Sequence, residues 1–326
     1  MEKKKIKIGI IGTGRIAKRF VTDAWQKLDV EIVGVYNPHE NSARSFCEQV
    51  GINIDCAFSK WDRFVTVIDA AYVASPLCTH YDYIEKLLNL KVHVLCEKPM
   101  VVSQEQAKTV YALAKTNNCV LMEGIKTAYS PGFKQLMEQV GSEKIGDIAD
   151  VEACFTKLVR PGLREWTHIA DCGSMTELGT YGCFVVTKIL GWNFTRVYHF
   201  SIRNEDGVDK FTKVFFEYDN NAIGLAKAGI GVKSEGELII SGTKGYILVK
   251  APWWMPRCIE VHYEDTNKTE TYQCDYEGNG LQYELEHFIS RIRGNNVKEV
   301  ISVEQSIAIA GIMEKFLREE KKYRKY

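Results

Sequence analysis

The chain has no excess of either charge. Lys plus Arg number 42 and Asp plus Glu number 42 across 326 residues, so it is formally neutral at pH 7. A whole-chain basic field of the kind that holds nucleic acid or an anionic membrane is therefore missing, and neither is expected as a partner. Proline is scarce, at 7, and 25 glycines are too few for a collagen-like or low-complexity chain. Long hydrophobic runs are also lacking: nothing approaches the roughly 18 apolar residues of a membrane-spanning helix. The start, Met-Glu-Lys-Lys-Lys, imitates the head of a signal peptide, but Ile6 to Ile11 behind it is broken by Lys7 and Gly9 and reads as a strand. Ten cysteines are present without one Cys-x-x-Cys pair, which removes the zinc-ribbon and thioredoxin readings. They read as small buried hydrophobes of a reducing, cytoplasmic compartment. The 7 histidines show no metal-ligand spacing, so no metal is expected.

What is present is ordinary globular composition, 45% hydrophobic and 26% charged, in a length that suggests roughly two domains. Through the first 120 or so residues two periods alternate. Short apolar runs (Ile6 to Ile11, Val30 to Tyr36, Ile68 to Ala74, Val92 to Cys96, Cys119 to Met122) are separated by helical patterns (Ile16 to Leu28, Asn41 to Val50, His80 to Leu90, Gln104 to Thr116). Nearly all-apolar strands between amphipathic helices predict a parallel sheet covered on both faces, and right-handed crossovers make it doubly wound. After about Gly146 longer strand-like runs follow one another: Ile148 to Leu158, Val197 to Arg203, Phe211 to Tyr218, Ala222 to Gly229, Glu237 to Ile240, Tyr246 to Val249 and Ile259 to Tyr263. Short links between them predict a largely antiparallel sheet. Helices are expected at Met175 to Leu190, ended by Gly191, and at Leu281 to Arg293 and Val303 to Lys321. The fold class is thus α/β, with a first domain over residues 1–123 and a second over 124–326, the final helices being able to pack back on the first.

Gly12-Thr13-Gly14-Arg15-Ile16-Ala17 follows the first strand and opens the first helix. In that context the glycine pattern is a dinucleotide-binding fingerprint. Gly12 permits the tight turn, Gly14 lets backbone approach a pyrophosphate, and Ala17 allows close helix–sheet packing. The helix end supplies free N–H groups and a positive dipole for phosphate. About 20 residues on, where an acid usually meets the ribose, stands Tyr36-Asn37-Pro38-His39. Asn37 can bond a ribose, and His39, Arg15 or Arg44 can meet a phosphate, so NAD and NADP both stay open.

Cys96-Glu97-Lys98-Pro99 closes the strand Val92 to Cys96, at the sheet edge where ligands bind. A lysine there can donate to a substrate oxygen and balance charge developing during hydride transfer.

Together the glycine loop, Ala74-Ser75-Pro76-Leu77-Cys78-Thr79-His80, His93 to Pro99, Gly173 to Tyr181 and Ile240 to Gly245 resemble the glucose–fructose oxidoreductase/inositol dehydrogenase (Gfo/Idh/MocA) family over almost the whole length. The resemblance implies a Rossmann domain followed by an α/β domain with an open-faced sheet that commonly mediates homodimers or homotetramers. It implies reversible hydride transfer between a nicotinamide cofactor and a sugar, polyol or related alcohol. It places Glu97 by the nicotinamide ribose, Lys98 at the reacting oxygen, and Ser75, Pro76 and His80 near the cofactor. The family often carries an Asp and, four residues on, a His or Tyr; here those positions hold Glu177 and Tyr181. Spacing of i, i+4 sets both on one helix face. Tyr181 then exchanges the proton, with Lys98 nearby lowering its pKa, and Glu177 orients the substrate or tunes Lys98.

Three further residues are candidates for substrate binding. Trp166 offers a flat face for a ring, His168 is a spare acid/base, and Lys126 can meet an anionic substrate in a segment that loosely resembles the dihydrodiol dehydrogenase branch. Tyr111 and Lys115 imitate the Tyr-x-x-x-Lys pair of short-chain dehydrogenases, but that family's glycine loop is missing. A non-catalytic dinucleotide sensor on the same fold is the alternative, since fold does not fix function.

Overall fold

The computed structural model describes residues 5–25, 28–167 and 171–322. Two compact units make up the chain. One runs to Val101 and continues through Glu105–Lys126 and Glu277–Val300. The other comprises Val102–Gln104, Thr127–Tyr276 and the chain from Ile301.

In the first unit the elements follow in order β1 (Ile6–Ile11), α1 (Arg15–Asp23), β2 (Val30–Tyr36), α2 (Glu40–Val50), β3 (Ala57–Phe58), α3 (Trp61–Val65), β4 (Ala70–Val73), α4 (His80–Asn89), β5 (His93–Glu97), α5 (Gln104–Thr116) and β6 (Leu121–Gly124). Six parallel strands stand in the order β3-β2-β1-β4-β5-β6, the doubly wound arrangement that reverses direction at β1. β4 and β6 are wholly buried, as strands covered on both faces must be. The first helix ends at Asp23, short of the expected Leu28.

The second unit holds α6 (Pro131–Val140), β7 (Ile148–Thr156), α7 (Arg164–Thr167), a π-helical turn (Met175–Gly179), α8 (Thr180–Leu190), and then β8 (Arg196–Arg203), β9 (Asp209–Glu217), β10 (Ile223–Gly229), β11 (Leu238–Gly242), β12 (Gly245–Val249), β13 (Cys258–Tyr263) and β14 (Thr269–Gln273). The chain closes with α9 (Leu281–Ile292), which belongs to the first unit, and α10 (Val303–Glu320), which belongs to the second. The eight-stranded sheet has the order β14-β13-β12-β11-β7-β10-β9-β8. Only β7 and β10 pair in parallel; every other neighbour is antiparallel.

Among the described residues, helices cover one face of this sheet, and the other presents exposed side chains. α8 is buried over Thr180 to Thr187 against β7 and β10, and Gln305 of α10 donates to the carbonyl of Phe184 at 3.2 Å. On β8 the side chains alternate with period 2: Val197 is buried, while Tyr198, Phe200 and Ile202 are exposed. Ile223 and Tyr246 add to the exposed apolar residues of the sheet strands. No helix among the described residues is long and apolar enough to cross a membrane.

Candidate active site

The glycine loop leaves β1 at its carboxyl end. Gly12 has φ +100°, and a Cβ there would sit 2.6 Å from the Ala74 carbonyl oxygen, so the turn admits only glycine. Its N–H donates to the Tyr36 carbonyl at 3.1 Å, which holds the loop against β2. Gly14 is the N-cap of α1, and a Cβ built on it would have open space for 4 Å around. No acid lies in the first turn of α1, and Ala17 is wholly buried against the sheet. An uncapped helix end beside an open backbone is a cradle that fits the pyrophosphate of a dinucleotide. Thr13 and Ile16 are half-buried and Arg15 is exposed at its mouth.

Asn37 follows β2 and is already engaged within the protein. Its amide donates to the Thr13 hydroxyl at 2.8 Å, and its carbonyl oxygen accepts the His39 N–H at 2.9 Å. The residue therefore links the glycine loop to the start of α2 and keeps one lone pair of its side-chain oxygen for a ligand.

Ser75 is half-buried and Pro76 exposed after β4, whereas His80 is only 2% exposed. Its Nδ1 lies 3.0 Å from the Pro99 carbonyl and its Nε2 lies 3.0 Å from the Ser75 carbonyl. The ring is a brace between two loops at the sheet edge and presents no surface to a ligand. Burial pushes its pKa below the usual histidine value, against the pull of those carbonyls.

Glu97 ends β5 and is buried; the Tyr72 hydroxyl of β4 donates to its carboxylate. Burial raises the Glu97 pKa, opposed by Lys98, by Tyr72 and by Lys126. Lys98 is half-buried, and its peptide bond to Pro99 is cis. Lys126 donates its ammonium to the carbonyl of Asn279 at 2.6 Å, and burial lowers its pKa. It is thus tied into the first unit by the segment leading to α9. Sequence reasoning missed Glu284 in that helix, because a Glu among Tyr283, Leu285 and Glu286 reads as part of an amphipathic surface. It is wholly buried, and burial followed by the charge of Glu97 drives its pKa well up.

In the second unit the expected α-helix from Met175 begins instead as the π turn. Asp209, which no sequence pattern marked, explains it. Its carboxylate accepts the Met175 N–H at 2.8 Å and the Thr212 hydroxyl at 2.8 Å. Gly173, at φ +112°, passes so close that a Cβ would lie 1.9 Å from the Asp209 carboxylate. The π turn carries Glu177, and Tyr181 follows in the first turn of α8; single π turns inside helices often mark functional sites. Tyr181 is 7% exposed, with its ring centroid 5.1 Å from Phe155, which in turn stacks on Trp254 at 3.6 Å. Arg164 pairs with Asp171 at 3.1 Å and stands 3.6 Å from Glu177. Trp166 donates its indole N–H to Val159 at 3.1 Å, and the edge of its ring lies against Gly231. Its indole N–H and one ring edge are therefore used in packing the loop. His168 lies outside the described residues.

Comparison with known proteins agrees with this geometry. The model of the oxidoreductase family with an NAD-binding Rossmann fold matches residues 6–125, and that of the GFO/IDH/MocA C-terminal domain matches residues 133–248. The chain is 26% identical over 324 residues to a trans-1,2-dihydrobenzene-1,2-diol dehydrogenase of Xenopus laevis, covering 96% of this chain and 97% of that protein. It is 28% identical over 320 residues to a scyllo-inositol 2-dehydrogenase (NADP(+)) of Bacillus subtilis, covering 95% of each. The fold is shared with a 3-ketoreductase from Actinomadura kijaniata solved with NADP and TDP-benzene, at TM-score 0.80 and 19% identity over 95% of this chain and 96% of that one.

Proposed function

The chain belongs to the Gfo/Idh/MocA oxidoreductase family, and from that premise we propose that it is an NAD(P)-dependent dehydrogenase acting on CH–OH groups of a sugar, polyol, dihydrodiol or related alcohol. The observation that carries the reading is the open cradle at Gly14, where an uncapped helix end and a glycine without neighbours meet at the carboxyl edge of a parallel sheet. The relatives named for diol and inositol oxidation support the substrate class.

When bound, the nicotinamide supplies the hydride acceptor or donor. The protein's residues do the rest. Gly12 to Ala17 hold the pyrophosphate, with Asn37, Ser75 and Pro76 beside them and His80 bracing the loops from within. Glu97 meets the nicotinamide ribose. Lys98 donates to the reacting oxygen and balances the charge that grows on it. Tyr181 gives or takes the hydroxyl proton, a role that typically contributes about 10² to 10⁴ in rate. Glu177, set by Arg164, orients the substrate, and Trp166, His168 and Lys126 complete its recognition. Residues 1–123, joined by α9, serve as the cofactor domain, and the rest of 124–326 serves as the substrate and oligomerisation domain.

The apolar side chains of Tyr198, Phe200 and Ile202 on the exposed sheet face support assembly into a homodimer or homotetramer through that face. The enzyme works in the cytoplasm, a reducing compartment that suits ten cysteines with no Cys-x-x-Cys pair. Fluorescence titration with NAD(H) and NADP(H) tests the premise. Saturable binding of one pair is expected, and no response to either pair removes the reading.

A further inference from the structure

One acid in the first unit has no role in the scheme above. Glu284 is wholly buried on α9, and neither carboxylate oxygen has a hydrogen-bond partner. Both oxygens lie against Gly124 at the end of β6, where an added Cβ would be 3.5 and 3.6 Å away. A side chain there would meet the acid at ordinary contact distance and the Cys96 carbonyl oxygen at a tighter 3.1 Å.

The charged and titratable groups around it come from each neighbouring element. Tyr72 of β4 donates to Glu97 of β5, and Lys98 follows Glu97. Glu123 of β6 accepts the Met100 N–H at 3.0 Å. Lys126, just past β6, donates to Asn279 at the head of α9, and Arg19 of α1 acts on Lys126 electrostatically. Further along α9 are Glu286, His287 and Arg291. Glu97 therefore has a hydrogen-bond donor and the charges of Lys98 and Lys126, whereas Glu284 has the charge of Lys126 but no hydrogen-bond donor among the described residues. A carboxylate buried with no donor on either oxygen is costly to ionise, so of the two acids Glu284 is the one that keeps a proton.

We infer that Glu284 is a positioning residue that, beside the Gly124 paired with Glu97, holds a proton next to that acid and releases it when a positive charge arrives at the end of β5. This rests on the proposal that Glu97 meets the nicotinamide ribose. An oxidised nicotinamide ring carries one positive charge more than the reduced ring. Near it the acid pair favours the doubly ionised state, and near the neutral ring it favours the singly protonated one. The proton leaves to solvent in the first case and is retained in the second; no bond to carbon changes. The consequence is a cofactor preference that depends on pH. Raising pH strengthens binding of the oxidised form relative to the reduced form.

The test is calorimetric titration of the full-length protein with the oxidised and reduced forms of NAD and of NADP, in two buffers of different ionisation enthalpy. The wild type is expected to release more protons with the oxidised form than with the reduced form. In Glu284→Gln, an isostere of the protonated acid, that difference is expected to vanish while both forms still bind. Should the Gln variant fail to fold, the wild-type ratio of the two dissociation constants is followed against pH, and a rising preference for the oxidised form is expected. Equal proton release by both forms, a difference that survives in the Gln variant, or a ratio that does not vary with pH overturns the inference. Heat from neither dinucleotide removes the cofactor reading, and this inference with it.

Discussion

The carboxylate of Asp209 accepts the backbone N–H of Met175 at 2.8 Å, and through that bond β9 fixes the start of the π turn that leads to Glu177 and Tyr181. Hydrogen bonds to a buried carboxylate are worth about 1.5–3 kcal/mol each, and Asp209 makes such bonds to Met175 and Thr212. Asp209→Ala is expected to destabilise the protein by roughly 3–6 kcal/mol. Asp209→Asn, which retains one acceptor, should recover part of that loss. Urea unfolding curves of the two variants check this; equal midpoints for Ala and wild type would show that the bonds do not hold the turn.

Lys126 is a half-buried cation whose charge acts on both Glu97 and Glu284. Removing one member of a buried charged group typically costs about 3–5 kcal/mol, because the remaining charge is left uncompensated. Lys126→Met should therefore lower stability by about that amount. Adding Glu284→Leu to it should restore part of the loss, and a double-mutant cycle measures the coupling. Additive losses would mean that the two side chains are energetically independent.

His199 on β8 is packed against Phe316 of α10, with ring centroids 5.4 Å apart, and its side chain is 2% exposed. Its Nδ1 is 3.4 Å from Glu319, longer than a charge-assisted hydrogen bond, and Lys315 stands nearby. Burial pushes its pKa down to about 4. Unfolded, the same ring titrates near 6.5. Between those values the unfolded chain binds more protons, so stability rises with pH across the window. The contribution is complete above about pH 6.5 and is lost as pH falls toward 4. His199→Leu should flatten the stability profile in that window, read by denaturant midpoints at several pH values. An unchanged slope would exclude His199 as its source.

Much of this architecture is legible in the sequence where burial and pattern agree. β1 and β2 appear with their observed ends because their mostly apolar, β-branched runs outweigh the single exposed charge in each, Lys7 and Glu31. β3, two residues long, is below the length at which any period shows. β14, Thr-Glu-Thr-Tyr-Gln, is an edge strand whose polar residues carry little hydrophobic signal. α6 carries a cap at Ser130 and an N1 proline at Pro131, but its tract lies between two stronger patterns. Glu284 and Asp209 could not be found this way. Their roles depend on burial by residues distant in sequence, and a lone acid in a polar tract looks like solvent-facing surface.

Tyr181 is buried against Phe155 rather than free in solvent, so its removal can be made nearly isosteric. Tyr181→Phe is expected to lower kcat by about 10² or more and to flatten the alkaline limb of the pH–rate profile. A wild-type profile would assign the hydroxyl a packing role only.

The most direct test of the central claim is a turnover assay. Sugars, polyols and dihydrodiols are offered with NAD and NADP, and the nicotinamide absorbance is followed for wild type and Lys98→Ala. The account predicts steady hydride transfer with at least one member of the panel, greatly reduced kcat in the lysine variant, and nearly unchanged cofactor binding. Tight dinucleotide binding with no turnover of any alcohol, and no difference between the two proteins, would contradict it and point to a dinucleotide sensor.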